Sequence, residues 1–300
     1  MTYYNQKTYK KPHLSCPLCG NGFISSLYTI NRYSPHFNVD RCSVCSFIFM
    51  NPPFTEKTLN SYYDEGYFHG SSDYSYHDER DLKKYPSSVR DKRIKIIRRY
   101  VEGGNFLDVG AAFGLLLQTA AQYYTPYGIE VSPYAGSHAK EIFGSNIHIG
   151  TLEDHPFPEN FFSVISMIEV LEHIDDPMDS LAECYRLLCP GGLLVLQTAN
   201  MDGLQAKIYR DRYAYFMPGH CSYFTKANLT GVLKKLGFRR IKVFYPVEFG
   251  LSAKLIKSKG SFRSIKDYTA WVRIALYHLI SKFHFGNFAM TSSMVLYAFK

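Results

Sequence analysis

No uninterrupted apolar run in this 300-residue chain is long enough to span a bilayer, which takes about 20 residues. The opening stretch, MTYYNQKTYKKP, has no apolar core of the kind a secretory leader carries, so neither a membrane anchor nor a signal peptide is expected. Acidic residues are the scarcer charge: 26 Asp and Glu against 34 Lys and Arg leave a formal charge of +8. That balance favours anionic partners, whether nucleic acid, anionic lipid or a phosphorylated metabolite. Internal repeats and low-complexity tracts are absent, which argues against a solenoid or fibrous architecture. Cysteines number seven, and four of them form tight pairs, C-P-L-C at Cys16 and Cys19 and C-S-V-C at Cys42 and Cys45. In a chain without secretory features, such pairs predict a metal site rather than a disulfide framework, and a cytoplasmic setting.

What is present is ample apolar material: 46% hydrophobic residues, with 25 Tyr and 22 Phe, enough for one large domain and a small one. Residues 1–12 form a polar, basic tail that is expected to be loose. Residues 13–50 predict a zinc ribbon, in which Cys16, Cys19, Cys42 and Cys45 close a tetrahedron around a structural zinc with no open position. The stretch between the two pairs is long enough for a hairpin such as Phe23–Tyr33. Residues 51–86 are a Tyr-rich connector containing Tyr62, Tyr63, Tyr67, Phe68, Tyr74, Tyr76 and Tyr85. These rings can close over a ligand or pack the ribbon onto the main domain, and packing is the commoner use. Ser87 or Ser88 then caps a helix running to Val101. Its Arg90, Lys92, Arg93, Lys95, Arg98 and Arg99 suit a solvated face or a docking face for a phosphate-bearing substrate.

From residue 87 to 300 the pattern alternates strand and helix. Strands are predicted over Phe106–Gly110, Thr125–Glu130, Ile147–Gly150, Phe162–Ile168, Leu193–Thr198, Arg240–Tyr245 and Met294–Phe299. Helices are predicted over Phe113–Tyr124, Pro133–Phe143, Pro177–Leu188 and Lys226–Leu236, with Pro190-Gly191-Gly192 separating the third helix from the next strand. The fold class is therefore α/β: a Rossmann-like, seven-stranded, mostly parallel sheet with helices on both faces, its last strand antiparallel, plus the small N-terminal ribbon. Phe249–Ala289 reads as a helical insertion. Ile265, Tyr268, Val272, Leu276, Leu279 and Phe283 recur at helical spacing, and packing against the sheet is the expected use, with a membrane-surface helix as the alternative.

The run Asn105–Leu117, NFLDVGAAFGLLL, carries the chemistry. An apolar strand ends in Asp108, a small-residue turn follows (Gly110, Ala111, Ala112, Phe113, Gly114), and a helix begins. Glycine and alanine let a ligand approach the backbone, and a new helix offers unpaired N–H groups. Glu130 ends the next strand about 20 residues on, where an acid meets ribose hydroxyls in dinucleotide folds. The dinucleotide fingerprint itself is not met, since Ala112 stands between the two glycines. The spacing D-V-G-A-A-F-G instead resembles the first motif of class I S-adenosylmethionine (SAM) methyltransferases. Gly150–Asp154 (GTLED), Pro156–Ile165, Met167–Pro177 (MIEVLEHIDDP) and Leu187–Thr198 follow in the order such enzymes show.

That resemblance implies SAM as cofactor. Its methionine part would lie over Gly110, Ala111, Ala112 and Gly114 beside Asp108, and its ribose would bond to Glu130. Its adenine would meet Leu152 and Glu153, with Met167 nearby; Thr151 stands where many members have Asp. His220 is the preferred base for a hydroxyl acceptor, and His173 is expected to border the site. Simple hydrogen-bonded histidines remain the competing reading for both. The Cys16–Cys45 ribbon, Asn51-Pro52-Pro53, Tyr62, Tyr67, Phe68 and His220-x-x-Tyr223 together resemble bacterial zinc-ribbon methyltransferases of sugar and polysaccharide modification. On that resemblance Tyr67, Phe68, His173 and Tyr223 line the acceptor, a small anionic or sugar molecule, free or nucleotide-linked. Gly219 and Met217 replace the Glu and Tyr of the C-methylating members, so O-methylation stands beside C-methylation. Two alternatives are an RNA methyltransferase, which the charge suits, and a non-catalytic zinc-ribbon binding module on an inactive Rossmann domain.

Overall fold

The computed structural model describes residues 5–60, 88–245, 283–286 and 288–300, together with positions 269, 272, 275, 276 and 279. The first strands are β1 (Ile24–Ile30), β2 (Phe37–Cys42) and β3 (Ile48–Met50), joined antiparallel with Ile30 opposite Phe37 and Val39 opposite Met50. The hairpin differs from the one expected within Phe23–Tyr33. That segment supplies only β1 and the start of the turn, because the polar stretch Asn31–His36 with Pro35 breaks the chain and β2 supplies the return.

The main sheet contains β4 (Asn105–Val109), β5 (Thr125–Glu130), β6 (Ile147–Ile149), β7 (Phe162–Ile168) and β8 (Leu188–Ala199), all parallel. After the short β9 (Ser222–Tyr223) come β10 (Arg239–Phe244), a small hairpin of β11 (His284–Phe285) and β12 (Phe288–Ala289), and finally β13 (Ser293–Phe299). The sheet order is β10-β13-β8-β7-β4-β5-β6, with β13 antiparallel to both neighbours. The seven-stranded, mostly parallel sheet is the one the alternation predicts. Strands covered on both faces read as unbroken apolar runs. All seven residues of β13 are buried, and β7 buries five of its seven. Each fully buried Leu, Ile, Val or Phe here contributes about 1.5–3 kcal/mol relative to exposure.

The helix Pro133–Phe143 starts where predicted: Ser132 accepts the N–H of Ala135, and proline occupies the first turn. The helix Lys226–Lys235 opens with a reciprocal cap between Thr225 and Asn228. Two boundaries move. The helix after β4 begins at Leu115, since Gly114 takes a left-handed φ of +77°. β8 starts at Leu188 rather than Leu193, because the chain absorbs Pro190-Gly191-Gly192 as a register shift against β7 instead of breaking.

Two other expectations are corrected. Of the row predicted at helical spacing in the insertion, the described members Val272, Leu276, Leu279 and Phe283 are exposed, from 52% at Leu276 to 72% at Phe283, so they do not pack onto the sheet. The described part of the N-terminal tail is tied down: Tyr9 bridges to Phe54, its hydroxyl donates to the His36 carbonyl at 2.5 Å, and the Lys10 ammonium meets Asp175 at 2.5 Å. The remaining predicted row of the insertion, Ile265 and Tyr268, lies outside the described residues.

The ribbon sheet is completed from the other end of the chain. β9 pairs with β3, Tyr223 opposite Ile48 and Ser222 opposite Phe49, giving the order β1-β2-β3-β9. A shared core joins Ile30, Phe37, Val39, Met50 and Phe54 to Ala206, Tyr213, Phe216 and Tyr223.

Candidate active site

In an open α/β sheet the ligand crevice lies at the carboxyl ends of the strands where the order reverses. Here that point lies between β4 and β7, since β4 runs on to β5 on one side while β7 and β8 build outward on the other. Two turns meet there: Gly110–Gly114 after β4 and Glu169–His173 after β7.

The first turn is held from below. Asp108 is buried, and the Ser166 hydroxyl of β7 donates to its carboxylate at 2.6 Å. The amides of Gly110 and Ala111 both donate to the Ile129 carbonyl, at 2.8 and 3.0 Å. Gly110 and Ala112 adopt positive φ, +75° and +45°. A side chain at Gly110 would meet Val170 at 2.4 Å, so only glycine fits under the second turn. Ala111 is buried, and a side chain at Gly128 would strike its methyl group at 2.9 Å. Small residues on both sides keep the turn and β5 in close contact.

Glu130 is buried at the end of β5 and reaches back to the turn. Its two oxygens accept the Ala112 and Ser132 amides, each at 2.8 Å. Burial pushes its carboxyl above the usual range, against the pull of the Ser132 and Ala112 amides. A carboxylate has about four acceptor positions, more than the backbone amides take up, which leaves room for a ligand hydroxyl. The turn, the glycine that admits no side chain and the buried strand-end carboxylate form a cradle that fits SAM.

The other expected cofactor residues sit differently. Leu152 is buried in the hydrophobic core, and Glu153 is exposed. Their loop is organised by Asp154, which sequence reasoning passed over. Its Oδ1 accepts the Thr151 amide at 2.7 Å and faces His148 Nε2 at 2.9 Å, and the His148 bond holds its carboxyl below the ordinary range. The signal available was the acid three residues beyond Thr151. Met167 points into the core, its sulfur 3.5 Å from the Cys184 thiol, rather than towards the turn.

The second turn carries Glu172 and His173. Glu172 is buried and accepts the Thr198 hydroxyl at 3.0 Å, while its carbonyl takes the Cys221 amide at 2.8 Å. His173 and His220, 47 positions apart in sequence, stack edge to face with ring centroids 4.6 Å apart. Each ring nitrogen Nδ1 faces a backbone carbonyl: Gly219 for His173 at 2.9 Å and Tyr215 for His220 at 3.0 Å. A carbonyl only accepts, so each Nδ1 carries the proton and each Nε2 keeps a lone pair. Burial lowers His173 to about 4 against the Gly219 bond. Burial, then the neighbouring His173, lowers His220 well below the usual imidazole value. The pair is neutral at pH 7, and both rings can accept a proton.

Tyr223, expected at the acceptor, is fully buried in β9, and its hydroxyl donates to the His220 carbonyl at 2.7 Å. It supports His220 from behind rather than facing a ligand. Tyr67 and Phe68 lie outside the described residues. The basic helix, Ser88–Ile97, buries Ile94 and Ile97; Arg93 donates to the Gln197 side chain, while Lys92 and Lys95 stay exposed.

The four cysteines of the ribbon converge. Their sulfurs all lie within 4.8 Å of one another, with Cys16–Cys45 at 3.6 Å and Cys19–Cys42 at 3.7 Å. Tetrahedral zinc with Zn–S near 2.3 Å needs sulfurs about 3.8 Å apart. The two knuckles repeat each other. Gly20 and Ser46 take positive φ and return their amides to the Cys16 and Cys42 carbonyls at 2.8 and 3.0 Å. The Leu18 and Cys19 amides point at the Cys16 sulfur, and the Val44 and Cys45 amides at that of Cys42. The donor set and its amide support fit a closed zinc site.

A family model described as a methyltransferase domain matches residues 81–243. The tRNA U34 carboxymethyltransferase of Syntrophotalea carbinolica is 31% identical over 53% of this chain and 52% of its own length. The ubiquinone biosynthesis O-methyltransferase of Alkalilimnicola ehrlichii is 32% identical over 34% of this chain and 44% of its own. The chain thus spans about half the length of these named relatives. An uncharacterized protein of Methanocaldococcus jannaschii is 24% identical over 51% of this chain and 74% of its own. Among solved structures, a SAM-dependent methyltransferase from Archaeoglobus fulgidus superposes with a TM-score of 0.50 and 18% identity, covering 71% of this chain and 94% of that one. Phosphoethanolamine N-methyltransferase 2 of Haemonchus contortus, solved with SAM, gives a TM-score of 0.53 and 16% identity, covering 91% and 71%. At such identities the structural likeness speaks for the fold.

Proposed function

The chain belongs to the methyltransferase domain family, and from that premise we propose that it transfers a methyl group from SAM to a hydroxyl of a sugar or related metabolite, free or linked to a nucleotide, with His220 as general base. When bound, SAM supplies an electrophilic methyl group on its sulfonium. The Gly110–Gly114 turn and Glu130 are the residues suited to holding its methionine part and its ribose. Asp108 acts beneath them by fixing the turn through Ser166.

The observation that carries the reading is the pair of imidazoles stacked edge to face near the reversal point of the sheet, with Nδ1 of His220 committed to the Tyr215 carbonyl. That bond leaves Nε2 as the atom that takes a proton from an acceptor hydroxyl as its oxygen attacks in line. Burial, reinforced by His173 against the ring, disfavours a positive charge on His220 and keeps the base unprotonated at neutral pH. The zinc ribbon belongs to the same reading as a frame for the acceptor side, with zinc held by Cys16, Cys19, Cys42 and Cys45 in a structural role. A cytoplasmic setting goes with those reduced thiols. No helix of the described residues is long and apolar enough to cross a membrane.

Purified protein incubated with radiolabelled SAM and a fractionated cell extract tests the proposal. Label in the nucleotide-sugar or polysaccharide fraction is the expected result. Label confined to RNA favours the RNA reading, for which the exposed Lys92 and Lys95 would supply phosphate contacts. Absence of both SAM binding and label transfer removes the enzymatic reading.

A further inference from the structure

Arg32 stands in the polar turn between β1 and β2, remote in sequence from every element of the proposed catalytic site. Its guanidinium reaches across to the segment leading to His220. Nη1 donates to the Asp211 carbonyl at 2.6 Å, and Nη2 donates to the Tyr213 carbonyl at 2.7 Å and to the Phe216 carbonyl. The three carbonyls lie on the short 3-10 turn Arg210–Arg212 and the irregular stretch that follows it, where no regular helix or strand engages them, although the Tyr213 carbonyl also takes the Phe216 amide. A planar, permanently charged donor matches such a set, and charge-assisted bonds are the stronger class.

Two of these carbonyls, on Tyr213 and Phe216, flank Tyr215, whose own carbonyl accepts the His220 Nδ1 proton at 3.0 Å. The Tyr215 ring lies 5.6 Å from the imidazole, and the Phe216 and His220 amides close successive turns onto Tyr213 and Met217 at 3.0 and 2.9 Å. The ribbon grips the same loop from its far end, where the Met50 amide donates to the Cys221 carbonyl at 2.9 Å. Arg32 is itself anchored, its guanidinium 5.0 Å above the Tyr33 ring, which stacks on Phe37 of β2.

We infer that Arg32 is a positioning residue: by clamping the carbonyls on either side of Tyr215, it fixes the acceptor that sets the tautomer and direction of His220. The clamp itself is independent of function; its catalytic consequence rests on the reading of His220 as base. Lysine would not replace it, because a single ammonium nitrogen cannot span three carbonyls as a fork does.

The test uses the full, zinc-loaded chain labelled with 15N at histidine, as wild type, Arg32→Ala and Arg32→Lys. Long-range 1H–15N spectra report which nitrogen of His220 carries the proton. Metal analysis, SAM titration and the rate of label transfer into the accepting extract fraction accompany them. In wild type the proton is on Nδ1. In Arg32→Ala the His220 signals shift towards a mixture of tautomers and label transfer slows by about tenfold or more, since misplacement by about 1 Å can cost on the order of 10²-fold. Zinc content is unchanged and SAM affinity stays within about twofold. Added guanidinium ion restores both the Nδ1–H signature and the rate in Arg32→Ala, and Arg32→Lys restores neither fully. A His220 ring that keeps its pure Nδ1–H signature in both variants overturns the inference, whatever the rate does. Should Arg32→Ala lose zinc or SAM binding, Arg32→Lys decides by the same spectrum. A shifted tautomer together with full transfer by His220→Ala removes the base reading and leaves the clamp standing.

Discussion

The two sides of the proposed site are built in opposite ways. The cofactor side comes from one contiguous stretch, β4 through the start of the helix after β5, with Glu130 bonded directly to the turn it faces. Its contacts are made by small residues and backbone amides of β4, β5 and the turns that follow them, with Ser166 of the neighbouring β7 and Val170 just beyond it closing them from one side. The acceptor side is assembled from distant pieces: the β7 turn with His173, the loop with Tyr215 and His220, the ribbon strand β3, and Arg32 and Lys10 from the first part of the chain. A binding surface shared by a whole fold can be carried by one βαβ unit. On the proposed reading, the acceptor site, which differs between enzymes, is built on a separate scaffold that zinc, when held by the four cysteines, would tie together.

Four perturbations sharpen or break that division, and the largest is loss of the metal. Cys42→Ser, or extraction of zinc by a chelator, should abolish label transfer by releasing β3 and β9, because structural zinc is worth on the order of 10 kcal/mol to small ribbons. SAM affinity should change less than about threefold. Metal analysis should find one zinc per wild-type chain, and equal loss of both functions would erase the distinction between the two sides. Next, His220→Ala should lower label transfer by about 10²-fold or more. Glu130→Gln should act in the converse way, weakening SAM by about tenfold in a titration while leaving the His220 tautomer unchanged. The smallest effect is on pH. A base must be unprotonated to act, and His220 is shifted well below its usual value, so the rate should hold constant as pH falls through about 6.5 and decline only at lower pH. A decline centred near 6.5 would indicate an exposed imidazole instead.

The same division explains what was legible in the sequence. The turn, Glu130, the alternation of strands and helices and the four cysteines were readable because each depends on residue type at short, regular spacing. Asp108 and Gly110 could be named without knowing that Ser166 and Val170 hold or crowd them. Met167 and Tyr223 were harder, because side-chain direction along a strand depends on register, which sends one to the Cys184 core and the other behind His220. Asp154 was hidden by a loop that substitutes an acid three residues beyond the expected one. Arg32 carried no local signal at all, since its partners are carbonyls, which any sequence supplies. Burial was also misjudged in the insertion, where helical spacing of Val272, Leu276, Leu279 and Phe283 suggested a core that the described positions do not join.

The central claim is that SAM binds on the Gly110–Glu130 side independently of the base on the ribbon-framed side. Calorimetric titration of SAM into the wild type and into His220→Ala tests it most directly. The account predicts one site per chain in both proteins, with dissociation constants agreeing within about twofold. No binding to the wild type, or binding lost with the His220 imidazole, would contradict it.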